Sequence, residues 1–182
     1  MPLPPVLRLR NTLLIGLWVL CGSNWAHSDD RVGEHDLKAA YVFNFIQFID
    51  WPDNESVADR DWVICVSPFS PLKRPLIALD GKPTRKGQPV RVRLLEISDL
   101  RNCRLVVLHH ADVQAVLRAL RSMPPANGIL TIAEEATSSS PEIMITLAQQ
   151  EGRIVFGINT DATSRAGLTV SSRLLRLARA VQ

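Results

Sequence analysis

The chain has 182 residues, 46% of them hydrophobic, and a formal net charge of +3. Two of its 21 basic residues lie in the first 28 positions, which hold no acidic residue, so the remainder carries 19 basic and 18 acidic side chains. A net charge so close to zero argues against broad electrostatic attraction to nucleic acids or anionic membranes. We therefore expect no nucleic-acid partner, and no later segment is apolar over the length that direct membrane insertion requires.

The first 28 residues have the three-part layout of a secretory signal peptide. Two arginines precede an uncharged apolar run from Leu13 to Cys21, and small side chains lie before a cleavage point after Ser28. The run of nine residues is shorter than the roughly 18 that a membrane-spanning helix needs. The pattern predicts a removable signal peptide at 1–28 and one domain at 29–182 that is exported from the cytoplasm.

The number of cysteines fits an exported protein. Cys21 leaves with the predicted signal peptide, and Cys65 and Cys103 remain as an even pair in an oxidising compartment. A disulfide between them would close a loop of about 40 residues and contribute about 3–4 kcal/mol to stability. A structural bond is the favoured interpretation, and a redox-sensitive latch that changes partner binding is the alternative.

The first predicted element is a helix from Glu34 to Asp50. Apolar side chains recur there at three- and four-residue steps, and Trp51-Pro52 ends the pattern. Beyond it, short β-branched or alternating runs predict strands, and amphipathic spacing between them predicts helices. The strands are expected at 62–67, 88–95, 104–109, 128–133, 142–148 and 153–158, and the helices at 72–79, 111–121, 161–166 and from Ser171 or Ser172 to the end.

The order of these elements predicts an α/β fold in a single domain. Helices and strands alternate through the middle of the chain, which favours a mostly parallel sheet flanked by helices. The continuous apolar run Leu105-Val106-Val107-Leu108 is typical of a central strand that is covered on both faces. The last two strands are joined by only a few residues, which predicts a C-terminal antiparallel hairpin.

The sequence offers little for catalysis. It has no Gly-x-Gly-x-x-Gly or P-loop pattern after a strand and no Gly-x-Ser-x-Gly elbow. His109 and His110 are adjacent, but neighbouring side chains on a strand point to opposite faces, which disfavours a shared metal ion. We expect no catalytic residue, no metal and no cofactor; an envelope enzyme that uses Asp161 or His109 is the least favoured function.

Three separated motifs carry a family resemblance. KAAYVFNF at 38–45 is followed by Trp51-Pro52, and FGIN at 156–159 is followed by AGLTVSSRLLRLA at 166–178. Between them lie Cys65-Val66 and the cysteine at 103. From about Asp36 to Ala178, the sequence resembles the YfiR/HmsC-like periplasmic family.

The resemblance implies a periplasmic, non-enzymatic regulator. Such a protein binds the periplasmic domain of an inner-membrane diguanylate cyclase and represses the enzyme, lowering cyclic di-GMP and biofilm formation. The resemblance also implies that Cys65 and Cys103 correspond to the family's structural disulfide. This chain lacks a second disulfide that some relatives have near the late hairpin, and it departs from the family at 138–142 and at Gly157. Pairing of two copies as a homodimer stays open.

Three aliphatic residues are candidates for the partner contact. Ile158, Leu168 and Leu174 lie near the late hairpin and the final predicted helix, where an apolar surface could hold the cyclase.

The alternative function is a periplasmic small-molecule binding or sensor module. In that case Tyr41, Phe45 and Trp51 would line a pocket at the carboxyl edge of the sheet.

Overall fold

Seven strands form one sheet in the part of the chain that the structure describes. The computed structural model describes residues 33–52, 62–85, 87–134 and 140–181; the predicted signal peptide and Cys21 lie outside these ranges. In chain order the strands are β1 (Ile49–Asp50), β2 (Trp62–Val66), β3 (Val90–Leu94), β4 (Leu105–Leu108), β5 (Leu130–Glu134), β6 (Ile145–Gln150), β7 (Arg153–Ile158), β8 (Thr169–Val170) and β9 (Ala180–Val181).

Five helices accompany these strands in the described ranges. They are α1 (Glu34–Phe45), α2 (Lys73–Ile77), α3 (Val113–Arg121), α4 (Thr160–Arg165) and α5 (Ser172–Leu175), together with a 3-10 helix at Ile97–Asn102. None of the helices in these ranges has both the length and the apolar character needed to cross a bilayer.

The sheet has the order β3-β2-β4-β5-β6-β7-β9. Strands β2 to β6 pair in parallel, β6 and β7 pair antiparallel, and β9 lies parallel to β7. The predicted α/β class with a mostly parallel sheet is therefore confirmed. Strands β1 and β8 form a separate antiparallel pair.

The hairpin of β6 and β7 forms where the sequence predicts it. Its register runs from Ile145 opposite Ile158 to Gln150 opposite Arg153. The two residues of the turn, Glu151 and Gly152, have φ values of 50° and 75°. Positive φ at both turn positions matches the right-handed twist of the flanking strands, which favours this tight connection.

The sheet separates two hydrophobic cores. Alternate residues of β2 point to opposite faces: Ile64 and Val66 belong to the core that contains residues of α1, whereas Val63 and Cys65 belong to the core that contains residues of α3. Both faces are covered, so all four residues of β4 are buried. This agrees with the central position predicted for its apolar run.

The first helix is shorter than predicted. Helix α1 ends at Phe45, and Ile49–Asp50 forms β1, which pairs with Thr169–Val170. Phe48 and Ile49 continue the apolar spacing of the helix, but they are buried or half-buried through contact with a segment far along the chain. The pairing with β8 replaces the last helical turn.

The predicted C-terminal helix is also shorter. Ser171 caps α5 through its hydroxyl, which accepts a hydrogen bond from the Leu174 amide at 3.3 Å, but the helix ends at Leu175. Ala180 and Val181 then form β9 beside β7. The apolar residues near the C-terminus have helical spacing, but Ala180 and Val181 form strand hydrogen bonds with the edge of β7 instead.

Candidate functional site

A disulfide joins two neighbouring strands. Cys65 lies in β2 and Cys103 lies two residues before β4, and their Cα atoms are 5.8 Å apart in the bonded pair. Both residues are fully buried in the core that contains residues of α3. The structure thus joins the two cysteines as the sequence predicts, and the bond links adjacent strands of the parallel sheet.

The three predicted partner contacts lie inside the protein. Ile158, Leu168 and Leu174 are 2%, 3% and 3% exposed, and all belong to the core that contains residues of α1. This placement favours a packing role, and their contact with a partner stays a prediction. Four of the exposed residues around the end of α5 form what we call the C-terminal surface: Arg173, Arg176, Leu177 and Arg179.

The C-terminal surface combines an apolar side chain with positive charge. Leu177 is 66% exposed, the highest value among the large hydrophobic residues described. Within the described parts of the chain, Arg173, Arg176 and Arg179 make no ion pair. Exposed leucine beside arginine is suited to a protein partner, since arginine is enriched at the centres of interfaces.

The three aromatic residues of the alternative hypothesis have different neighbours among the described residues. Tyr41 and Phe45 pack against Phe156, with ring centroids 6.0 and 5.1 Å from it. Trp51 lies elsewhere: its Nε1 donates to the Gly128 carbonyl at 2.9 Å, and its ring meets Trp62 edge-on at 5.0 Å. Tyr41 and Phe45 therefore belong to an aromatic cluster in the core.

Trp51 does line a cavity, but at the opposite edge of the sheet from the one expected. The cavity measures about 580 Å³ and its wall includes Trp62, Gln88 and Arg104, which lie at or before the first residues of β2, β3 and β4. These strands are parallel, so the cavity is at their amino-terminal ends. We call it the amino-edge cavity.

Two buried polar residues line the amino-edge cavity. Arg104 is 6% exposed, and its guanidinium carbon lies 4.6 Å from the centroid of the Trp62 ring. Thr84 is 7% exposed, and its hydroxyl has no hydrogen-bond partner among the described residues. A buried hydroxyl without a partner is energetically costly. Sequence reasoning missed both residues because neither stands in a recognisable motif.

A buried lysine connects α1 to the sheet. Lys38 is 5% exposed, and its Nζ lies 2.6 Å from a carboxylate oxygen of Glu34 and 2.6 Å from one of Glu134. Burial lowers the pKa of Lys38, but the hydrogen bonds to Glu134 and Glu34, together with their negative charges, outweigh it and raise the pKa above 10.5. Lys38 therefore stays charged inside the fold. The pair with Glu134 could not be predicted from local spacing, since the two residues are 96 positions apart along the chain.

The two adjacent histidines lie side by side. Strand β4 ends at Leu108 rather than at His109, so the alternation of a strand does not separate their rings, whose centroids are 3.8 Å apart. Within the residues described, no three His, Cys, Asp or Glu side chains are grouped closely enough to hold a metal ion.

The class of protein defined here is an α/β domain with a mostly parallel sheet and a disulfide between neighbouring strands. The model of the YfiR/HmsC-like family matches residues 35–179, which is most of the chain. The chain therefore belongs to the YfiR/HmsC-like family. No curated protein matches it by sequence. Family membership makes the protein, in general terms, a periplasmic regulator of diguanylate cyclase activity.

Proposed function

We propose that this protein is a non-enzymatic repressor that binds the periplasmic domain of an inner-membrane diguanylate cyclase. Bound protein holds the enzyme inactive, which lowers cyclic di-GMP and biofilm formation, and envelope conditions release it. The observation that carries the proposal is the family match over residues 35–179. The signal peptide predicted at 1–28 supplies the route to the periplasm.

The C-terminal surface is the proposed contact. It lies beside one of the predicted anchors, because Leu174 is the buried residue of α5 and the exposed Arg173, Arg176 and Leu177 lie within three residues of it. Leu177 would fill an apolar recess on the cyclase while the arginines bind carboxylates around it. Ile158 and Leu168 belong to the same hydrophobic core as Leu174.

A binding experiment tests this contact. We expect the purified periplasmic domain of the cyclase to bind the protein and Leu177→Asp to weaken binding at least tenfold, because a desolvated charge would replace an apolar contact. Leu94→Asp is the matched control: Leu94 is 49% exposed on β3, at the opposite edge of the sheet. Equal binding by both variants would exclude the C-terminal surface as the contact.

A genetic experiment tests repression itself. Deleting the gene in cells that contain the cyclase should raise cyclic di-GMP, and the wild-type gene should restore the lower level. Unchanged cyclic di-GMP after deletion would contradict the proposed function, whatever surface the partner uses.

A further inference from the structure

The walls of the amino-edge cavity combine flat aromatic surface with buried positive charge. Trp51 and Trp62 supply the aromatic surface, and the Arg104 guanidinium lies over the Trp62 ring. A guanidinium has five N–H donors in a planar fork, so it can keep its existing contacts and still donate to a ligand. Such a group is suited to a carboxylate or a phosphate.

The charge of the described lining residues also favours an anion. Arg85 and Asp50, both exposed, line the cavity, so with Arg104 the described part of the wall carries two positive charges and one negative charge. A neighbouring recess of about 450 Å³ shares Gln47, Thr84 and Arg85 with the amino-edge cavity and adds Arg173. Positive charge therefore continues from the cavity to the C-terminal surface.

Thr84 provides an independent indication of a ligand. The backbone around Thr84 is well bonded: its amide donates to the Gln88 carbonyl at 2.8 Å, and its carbonyl accepts from the Gly87 amide at 2.9 Å. The side-chain hydroxyl alone lacks a partner among the described residues, although the residue is more than nine-tenths buried. An anionic oxygen in the cavity would accept the hydroxyl hydrogen and remove this cost.

We propose that the amino-edge cavity binds a small organic anion, with its charged group at Arg104 and Thr84 and its apolar body against Trp51 and Trp62. The volume of about 580 Å³ is within the range of small-molecule sites. This site goes beyond the proposed repression and does not depend on it, since it is tested without the cyclase.

Intrinsic fluorescence provides a direct assay. Trp51 and Trp62 are the only tryptophans after residue 28, and both line the cavity, so emission from the chain that begins at Asp29 reports on this site. The probes are benzoate and phenyl phosphate, which carry the two candidate anionic groups, with benzamide as the neutral analogue of benzoate. We expect saturable emission changes with at least one anion and binding of benzamide at least tenfold weaker.

Variants locate the charged group of the probe. Thr84→Val keeps the side-chain shape, removes the hydroxyl and should weaken anion binding about tenfold. Arg104→Met should weaken it by more, with the thermal unfolding of each variant recorded as a check on folding. Thr146→Val, in β6 and outside the cavity wall, should bind like the wild type.

Three results would overturn the proposal. They are the absence of a saturable response to either anion, equal affinity for benzoate and benzamide, and anion binding by folded Thr84→Val that equals that of the wild type. The ratio of the affinities for benzoate and phenyl phosphate identifies the preferred anionic group when binding is observed.

Discussion

Lys38 and Glu134 are 96 positions apart in the sequence, yet the lysine Nζ lies 2.6 Å from the glutamate Oε1. The pair links α1 to the last residue of β5. Glu34, one turn earlier in α1, contacts the same Nζ. The buried ammonium therefore separates two carboxylates that would otherwise repel each other.

Removing this ammonium should destabilise the fold. We expect Lys38→Met to lower the free energy of unfolding by about 1–3 kcal/mol, because two carboxylates lose their shared cation while the apolar stem is kept. Urea denaturation measures the change, and Lys82→Met, at an exposed position, should stay within about 0.5 kcal/mol of the wild type. A similar small effect at Lys38 would show that the contact contributes little.

The same contact predicts a pH dependence with a defined sign. The pKa of Lys38 is raised in the folded protein, so its contribution is complete below the unfolded value of 10.5 and is lost as pH rises through the folded value. The stability difference between the wild type and Lys38→Met should therefore be constant near neutral pH and shrink in strong alkali. Denaturation of both proteins across this range measures it; a difference that grows with pH would contradict the assigned cause.

Loss of the disulfide should lower stability. The cysteines are separated by 38 positions, and the chain-entropy relation gives about 3–4 kcal/mol for a loop of this length. We expect Cys65→Ala/Cys103→Ala to lose about this amount in denaturation experiments, and a reducing agent to destabilise the wild type but not the double variant. The bond lies in the core that contains residues of α3, whereas Leu174 lies in the other core.

This arrangement separates the two roles considered for the disulfide. Folded, reduced protein should bind the cyclase domain as well as oxidised protein does if the bond is only structural. Loss of binding on reduction at a temperature where the protein stays folded would instead support a redox-sensitive latch.

Leu174 provides a test of the predicted partner contacts. Its side chain is 3% exposed, so Leu174→Ala should cost about 2–4 kcal/mol through lost burial and the resulting cavity. Leu177→Ala, at a 66% exposed position, should change stability by less than about 0.5 kcal/mol. Weaker cyclase binding by fully folded Leu174→Ala, without the expected loss of stability, would show that Leu174 acts at the interface instead.

Gly167 should tolerate a methyl group poorly. Its φ is +75°, and an added Cβ would lie 3.0 Å from the Cβ of Ala126. Gly152 has the same φ with no atom within 4 Å of an added Cβ. Both alanine variants carry the cost of positive φ, about 1 kcal/mol, and Gly167→Ala should lose about 1–2 kcal/mol more through crowding. Thermal or urea unfolding compares them, and equal losses would show that the Ala126 loop moves aside freely.

Much of the central fold could be predicted from the sequence because local pattern and tertiary environment agree there. The apolar run Leu105–Leu108 is buried on both faces, and the short connection between β6 and β7 forms a hairpin. The even pair of cysteines likewise became a bond. The strand and the hairpin depend on residues that are close in the sequence. The disulfide depends on the oxidising compartment that the signal peptide predicts.

The predicted helices were too long where the backbone pairs with a strand that is distant in the sequence, although the apolar residues there have helical spacing. Ile49 fits the helical pattern before it but pairs with Val170, and Val181 fits a final helix but pairs with Ile158. The position of the candidate ligand site was missed for a similar reason. Trp62, the first residue of β2, and Arg104, the residue before β4, come together only through the parallel register.

The order of strands in the sheet has a consequence for how an exported chain assembles. Each pair in the seven-stranded sheet joins strands that are close neighbours along the sequence, so pairing can advance in the direction in which the polypeptide emerges from the membrane. The segment that carries Cys65 and Cys103 and the strands they link emerges well before the hairpin. If the chain crosses the membrane unfolded and from its N-terminus, oxidation would join Cys65 to Cys103 before β6 and β7 have been exported. Ile49 pairs with Val170, which lies near the C-terminus. On the same route, this pair could form only after nearly the whole chain had been exported.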